Sequence, residues 1–183
     1  MALDIKTDPR LRIDFCGLDF ATPLVLLSGC VGFGEEYTRI QGFSNREAGA
    51  ICLKGTTLAP RLGNAPHRLC ETLAGMINAI GLPGPGLDAF VAHELPRLLA
   101  LPCPLILSIG GFSSDDYVLL AAGLREALDR AVPTGWTARV GLELNISCPN
   151  VHSGCASIGA DAGETEAVVG AARAAWPGLL VAK

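Results

Sequence analysis

Residues 141 to 150, GLELNISCPN, collect in one short run the side-chain types that bind a polar ligand and move a proton. On an extended strand Glu143, Asn145 and Ser147 alternate with Leu142, Leu144 and Ile146, so one face is polar and the other apolar. Polar side chains on a buried strand are costly unless partners satisfy them, and a bound polar ligand would do so. Cys148 follows at once, and Pro149 ends the strand and launches a loop. A lone cysteine is ordinarily a small buried apolar group. A thiol just past a polar-faced strand suits another role, because its pKa of roughly 8.5 falls in an electropositive setting and makes it a general base. A loop closing over the site would exclude water. Two lysines, Lys54 after AICL and Lys183 after LLVA, end apolar strands, where a lone ammonium wants an anionic neighbour. An asparagine is most often a turn or cap residue. Asn145 escapes that reading best because it lies inside a strand, and its amide offers both a donor and an acceptor.

The elements that must position these groups alternate between strand and helix. Leu11 to Phe15 and Leu18 to Phe20 flank Cys16-Gly17 as a small hairpin. Five apolar strands follow: Pro23 to Ser28, Ala50 to Lys54, Pro104 to Ile109, Val140 to Ser147, and one beginning over Leu179 to Ala182. Helices are expected over Glu35 to Glu47, over Leu87 to Ala100 despite Pro96, from Ser113 to about Arg130, and over Glu164 to Ala175. Ser113 and Asp116 have capping-box spacing, with Asp for the usual Glu. Residues 56 to 86 read as a long irregular excursion.

Near-continuous apolar strands alternating with helices imply a parallel sheet covered on both faces. A (β/α)₈ TIM barrel and an open doubly wound sheet both satisfy that pattern. No GxGxxG follows the first strand, so the dinucleotide fingerprint is absent. Polar residues (Ser28, Lys54, Ser108, and the run Asn145 to Asn150) collect at the strand ends, where barrel enzymes keep their chemistry. The reading is therefore an α/β chain, residues 1–183, forming the N-terminal part of a single barrel domain. A whole barrel needs eight strands and about 250 residues. The sequence supplies about the first five strands, so the expectation is a truncated record.

Half of the residues are hydrophobic and 17% are charged, which suffices for a full core and argues against disorder. The net charge of −4, without a Lys/Arg cluster, gives no support for nucleic-acid binding. No apolar run approaches the roughly 20 residues of a membrane helix, and the first residues show no signal peptide. Seven cysteines with no CxxC pair argue against a disulfide framework or an iron–sulfur site and for reduced thiols in the cytoplasm. Cys16, Cys30, Cys52, Cys70 and Cys103 are expected to pack as small apolar groups. His67, His93 and His152 lack ligand spacing, so no metal site is expected.

With these residues in view, a resemblance emerges. Asn145-Ile146-Ser147-Cys148-Pro149-Asn150 is similar to the NxSCPN signature of the class 1 dihydroorotate dehydrogenases. Leu27-Ser28-Gly29 resembles that family's first-strand turn, and Lys54 to Asn64, KGTTLAPRLGN, resembles its K-T-x-T-x-x-P-R-x-G-N stretch. Asn78-Ala79-Ile80-Gly81-Leu82 resembles its substrate-binding segment. The similarity runs through nearly the whole chain in order. GFGEE at residues 32 to 36, KGTTLAPRLGN and GMINAIGL look most like subclass 1B.

The resemblance implies an FMN enzyme on a (β/α)₈ barrel that oxidises dihydroorotate to orotate in pyrimidine biosynthesis. It implies a homodimer of catalytic subunits and a separate iron–sulfur/FAD subunit that passes electrons to NAD. Cys148 aligns with the base that removes a proton from C5 of the substrate while a hydride leaves C6 for the flavin. Lys54, Asn78, Ala79, Ile80, Gly81, Leu82, Asn145 and Asn150 align with substrate contacts, the 79–82 segment through backbone groups and shape. Ser28, Lys54, Gly55, Ser108, Asn145 and Lys183 align with flavin contacts, and the FMN phosphate site is expected in the C-terminal half. A cation such as Lys183 beside the ring would favour its reduced state. Two residues depart from the family pattern: Gly55 stands where Thr is usual, and Ser108 where Asn is usual. A dihydropyrimidine dehydrogenase-like flavin barrel and a non-catalytic half-barrel are the alternative readings.

Overall fold

A computed structural model describes residues 8–147 and 158–183. Its centre is a five-stranded parallel sheet in the order β3-β4-β7-β8-β9. The strands are β3 (Val25–Leu26), β4 (Ala50–Cys52), β7 (Leu105–Ile109), β8 (Val140–Leu144) and β9 (Leu180–Ala182). Two antiparallel hairpins lie outside the sheet: β1 (Ile13–Phe15) with β2 (Leu18–Phe20) precedes it in sequence, and β5 (Leu69–Thr72) with β6 (Gly75–Asn78) is inserted between β4 and β7. The helices are α1 (Leu87–Ala89), α2 (Leu95–Leu98), α3 (Ser114–Ala131) and α4 (Ala162–Ala175).

The three central strands, β4, β7 and β8, are buried on both faces, as the strands of parallel sheets are, and the edge strands β3 and β9 are partly exposed. Ile51, Leu53, Leu105, Leu107, Ile109, Leu142 and Leu144 share one core with Phe90, Leu95 and the inner stripes of α3 and α4. Along α3 that stripe is Tyr117, Leu120, Ala121, Leu124, Ala127 and Leu128, the spacing of one helical face. On the other face Ala50, Cys52 and Ile106 pack against Leu18 and Phe20 of the β1–β2 hairpin. The hairpin therefore covers the inner face. Its turn is built by Cys16 and Gly17, both at positive φ (51° and 88°), the geometry that a two-residue hairpin loop demands.

The cap expected for α3 forms, and α4 begins two residues before Glu164 behind a cap that the sequence reading did not single out. The Ser113 hydroxyl accepts from the Asp116 amide at 3.3 Å. The Asp116 carboxylate accepts from the amide of Phe112 at 2.7 Å, one residue before the cap. Asp161 caps α4 by accepting from Glu164 N at 2.8 Å.

Five expectations need correction. The helix expected over Glu35 to Glu47 is two 3₁₀ turns, Glu36–Arg39 and Asn45–Glu47. Gly42, at φ 86°, takes the chain out of helical geometry between them, and Ser44 caps the second turn. The strand expected over Pro23 to Ser28 pairs only through Val25 and Leu26. The strand expected to reach Ser147 leaves the ladder after Leu144, and Ser147 is exposed. The excursion over 56 to 86 contains the β5–β6 hairpin, whose exposed residues carry no clean alternation to announce it. The helix expected over Leu87 to Ala100 is α1 and α2 joined by one wide turn, Phe90–Glu94, immediately before Pro96.

Candidate functional site

Four of the five strands of the sheet deliver polar or charged groups at the same end. Ser28 and Gly29 follow β3, Lys54 and Gly55 follow β4, Asn145 follows β8, and Lys183 follows β9. These residues line one cleft of about 440 Å³, together with Leu69, Met76 and Asn78 of the second hairpin and the segment Ile80 to Pro83. The volume is that of a small-molecule site. A second cavity, about 570 Å³, lies at the opposite end, where Arg12, Asp19, Arg46 and Pro104 meet. It is larger, but Arg12 and Asp19 there already pair with each other. The cleft at the C-terminal strand ends is the better candidate, because that end is where a parallel α/β sheet presents ligand groups.

Lys54 enters the cleft half-buried, with its backbone amide donating to Gly32 O at 2.8 Å. Burial lowers the pKa of its ammonium, Arg68 lowers it further by repulsion, and Glu36 opposes them. A cation so held gains from an added anion. Arg68 itself is fixed by donating to Leu62 O and Asn64 O.

The wall formed by residues 79–82 is held from behind by Asn64. Its backbone amide donates to Ile80 O at 3.0 Å, and its side-chain amide donates to Ala79 O at 2.8 Å. Ala79 N donates to Arg68 O, and Gly81 O accepts from Arg61 Nε. These backbone groups are thus spent on holding the wall, and its shape is what they contribute to the cleft. Gly81 sits at φ 80°, and a Cβ there would lie 2.7 Å from Asn64 N. Ala79 is exposed and is not part of the cleft lining, unlike Ile80, Gly81 and Leu82.

Asn145 is seated by its backbone. Its amide donates to Ile109 O at 2.8 Å, and its carbonyl accepts from the buried Tyr117 hydroxyl at 2.8 Å. Ile146 N donates to Lys183 O at 3.0 Å, tying the exit of β8 to the exit of β9. Cys148 and Asn150 lie outside the described residues. Ser108 does not reach the cleft: it is buried, and its hydroxyl donates to Glu143 Oε1 at 2.7 Å. Glu143, singled out in the sequence only as one of three alternating polar residues, also meets Lys183 Nζ at 2.9 Å. Its partners lie 35 and 40 residues away in sequence, so nothing local signals them.

Among the described residues no group of three or more His, Cys, Asp or Glu side chains is placed to hold a metal. None of their helices is long and apolar enough to cross a membrane. Cys52 and Cys103 are buried as expected, whereas Cys16, Cys30 and Cys70 are exposed.

A family model described as dihydroorotate dehydrogenase matches residues 10–183. The dihydroorotate dehydrogenase B (NAD(+)) catalytic subunit of Listeria monocytogenes serotype 4a (strain HCC23) is 43% identical over 152 residues, covering 83% of this chain and 46% of that protein. The subunit of the same name from Caldicellulosiruptor bescii is 40% identical over 152 residues, with the same coverage. The chain spans about half the length of the curated relatives it matches. Among solved structures, the ligand-free dihydroorotate dehydrogenase of Eimeria tenella superposes with a TM-score of 0.66 at 22% identity, over 91% of this chain and 46% of that one. The α/β fold, the order of the strands and the matched residues agree: the chain belongs to the dihydroorotate dehydrogenase family.

Proposed function

We propose that the protein is the FMN-binding catalytic subunit of a type B dihydroorotate dehydrogenase, oxidising dihydroorotate to orotate. One observation carries the reading. Ser28, Lys54, Asn78, Gly81, Asn145 and Lys183, scattered over more than 150 residues of sequence, converge on a single cleft at the C-terminal strand ends. The names of the curated relatives support the activity and the NAD-linked subclass. On this reading the five parallel strands are the first five of a (β/α)₈ barrel, and residues 1–183 form the N-terminal part of one domain.

The residues present suit a flavin beside an anionic pyrimidine. Two ammonium groups, Lys54 and Lys183, reach a cleft that also presents the amide of Asn145. Burial, with repulsion from Arg68, lowers the pKa of Lys54 despite Glu36, so an anion brought into the cleft would favour its charged form. FMN, when bound, supplies the hydride acceptor. The chain supplies the rest. Lys54 and Lys183 would hold negative charge on substrate and cofactor, and Ser28 and Gly55 would contribute to holding the flavin. Asn78, Asn145 and Asn150 orient the pyrimidine by donating and accepting along its edge. Ile80, Gly81 and Leu82 shape the wall, and Leu69 and Met76 of the hairpin add apolar lining. Cys148, which follows Ser147 directly in sequence, takes the proton from C5 as general base. An iron–sulfur/FAD subunit would take electrons onward to NAD, and a homodimer of catalytic subunits in the cytoplasm completes the proposal.

The test is kinetic. Full-length Cys148→Ala is expected to retain the visible flavin spectrum and to lose turnover of dihydroorotate with an artificial acceptor by about 10²–10⁴-fold. Near-normal turnover would reject the role of the thiol. Faster turnover of dihydrouracil than of dihydroorotate would reject the substrate.

A further inference from the structure

One carboxylate lies directly beneath the cleft and has no part in the proposed reaction. Glu143 projects from β8 on the inner face of the sheet, paired in register with Ser108 on β7 and Val181 on β9. Its Oε1 accepts from Ser108 Oγ at 2.7 Å and meets Lys183 Nζ at 2.9 Å. The two members of the ion pair differ in freedom: the Glu143 side chain is 6% exposed, and that of Lys183 is 42% exposed. The carboxylate is therefore the fixed member, anchored by a buried hydroxyl, and the ammonium is the member that reaches the cleft. Ser108 donates its one hydroxyl hydrogen to this carboxylate, which accounts for its absence from the cleft lining. The buried Cys52 thiol is pushed up to about 12, first by burial and then by the Glu143 charge, so the carboxylate is felt on both sides.

We propose that Glu143 is a positioning residue: it fixes the Lys183 ammonium under the cleft and offsets its charge, and so limits how strongly the site favours the electron-rich state of the flavin. This rests on the reading of the cleft as a flavin site. A cation beside a ring that gains electrons stabilises the charge gained, and a buried carboxylate in contact with that cation weakens the effect. Among the described residues Lys54 and Lys183 act against Glu143, with Arg68 and Glu36 acting in turn on Lys54.

Glu143→Gln keeps an amide oxygen for Ser108 and Lys183 and removes only the charge. In the full-length flavoprotein it is expected to tighten binding of reduced over oxidised flavin by about tenfold, read as a rise of about 30 mV in the two-electron midpoint potential. In a Lys183→Met background the same substitution should move the potential less than half as far, because its effect runs through the ammonium. Glu143→Asp, which withdraws the charge by one methylene, should shift the potential in the same direction by less, and it serves if the Gln variant does not fold. An unchanged or lowered potential in a folded, flavin-loaded Gln or Asp variant overturns the proposal. So does an equal shift with and without Lys183. A wild-type protein that takes up no FMN overturns the flavin reading itself, and the proposal falls with it.

Discussion

Gly81 and Gly17 both occupy left-handed backbone, at φ 80° and 88°, but they differ in what surrounds them. A Cβ on Gly17 would meet nothing within 4 Å. A Cβ on Gly81 would lie 2.7 Å from the backbone nitrogen and the side-chain carbonyl carbon and oxygen of Asn64. Alanine at either position costs about 1–2 kcal/mol for the left-handed conformation. The stiffer unfolded chain returns about 0.4–1 kcal/mol. Gly17→Ala should therefore destabilise by about 1 kcal/mol. At Gly81 the neighbour is backbone and cannot rotate away, so the wall must shift. That shift breaks or stretches Asn64 N to Ile80 O and Asn64 Nδ2 to Ala79 O, each contributing about 1 kcal/mol. Gly81→Ala should then cost about 3 kcal/mol and displace Ile80 and Leu82 at the cleft. Urea unfolding of the full-length protein measures the stability. Titration with orotate, followed by the flavin spectrum, measures the site. At about 1.4 kcal/mol per tenfold, even half of the wall's strain appearing in binding weakens orotate by about tenfold. The reasoning is refuted if the two variants are equally stable, or if Gly81→Ala binds orotate like the wild type.

Burial holds the thiols of Cys52 and Cys103 protonated, pushed from an ordinary 9.0 up to about 12 and about 11. The unfolded chain ionises first, so folded-state stability should fall as pH rises from 9 towards 11–12, and Cys52→Ala should flatten that slope in denaturant titrations at stepped pH. In the native state a thiol reagent should modify Cys16, Cys30 and Cys70 well before Cys52 and Cys103, as read by peptide mass spectrometry. The lowered pKa of Lys54 means that it sheds its proton earlier than an ordinary lysine as pH rises, so orotate affinity should decline in alkali below the usual lysine range. Lys54→Met should remove that decline while weakening binding at neutral pH.

Much of the sheet was legible because its signal is local. Leu105–Ile109 and Val140–Leu144 are unbroken apolar runs bounded by turn residues, and they are the best-paired strands of the sheet. The cap Ser113 sits where the amphipathic stripe of α3 begins. The signal failed where tertiary context decides. Residues 35–47 have helix-forming composition at their ends, but Gly42 at φ 86° and the Asn45 side chain, donating to Gly34 O, hold them in 3₁₀ turns. The β5–β6 hairpin escaped because all eight of its residues are exposed, which removes the alternation that burial writes into a strand.

For the site, the sequence showed where polar groups end apolar strands, and physical cost explains why that was informative. Lower on the inner face, Ala50 and Ile106 meet Leu18 and Phe20 of the hairpin, and a charge there would have neither water nor a partner. One step nearer the strand ends, Ser108 and Glu143 are affordable only because they bond each other and Lys183. Beyond them Lys54 and Asn145 face open volume and are free to meet a ligand. Polarity therefore rises along the strands in three steps, from apolar through paired to ligand-facing, and the middle step is the one a sequence conceals. Its members look like site residues by type, and only their partners, contributed by neighbouring strands, reveal that they serve the layer above them. Ser108 was expected at the flavin from its place at a strand end and from the family pattern, whereas its hydroxyl donates to the carboxylate of Glu143 on the neighbouring strand.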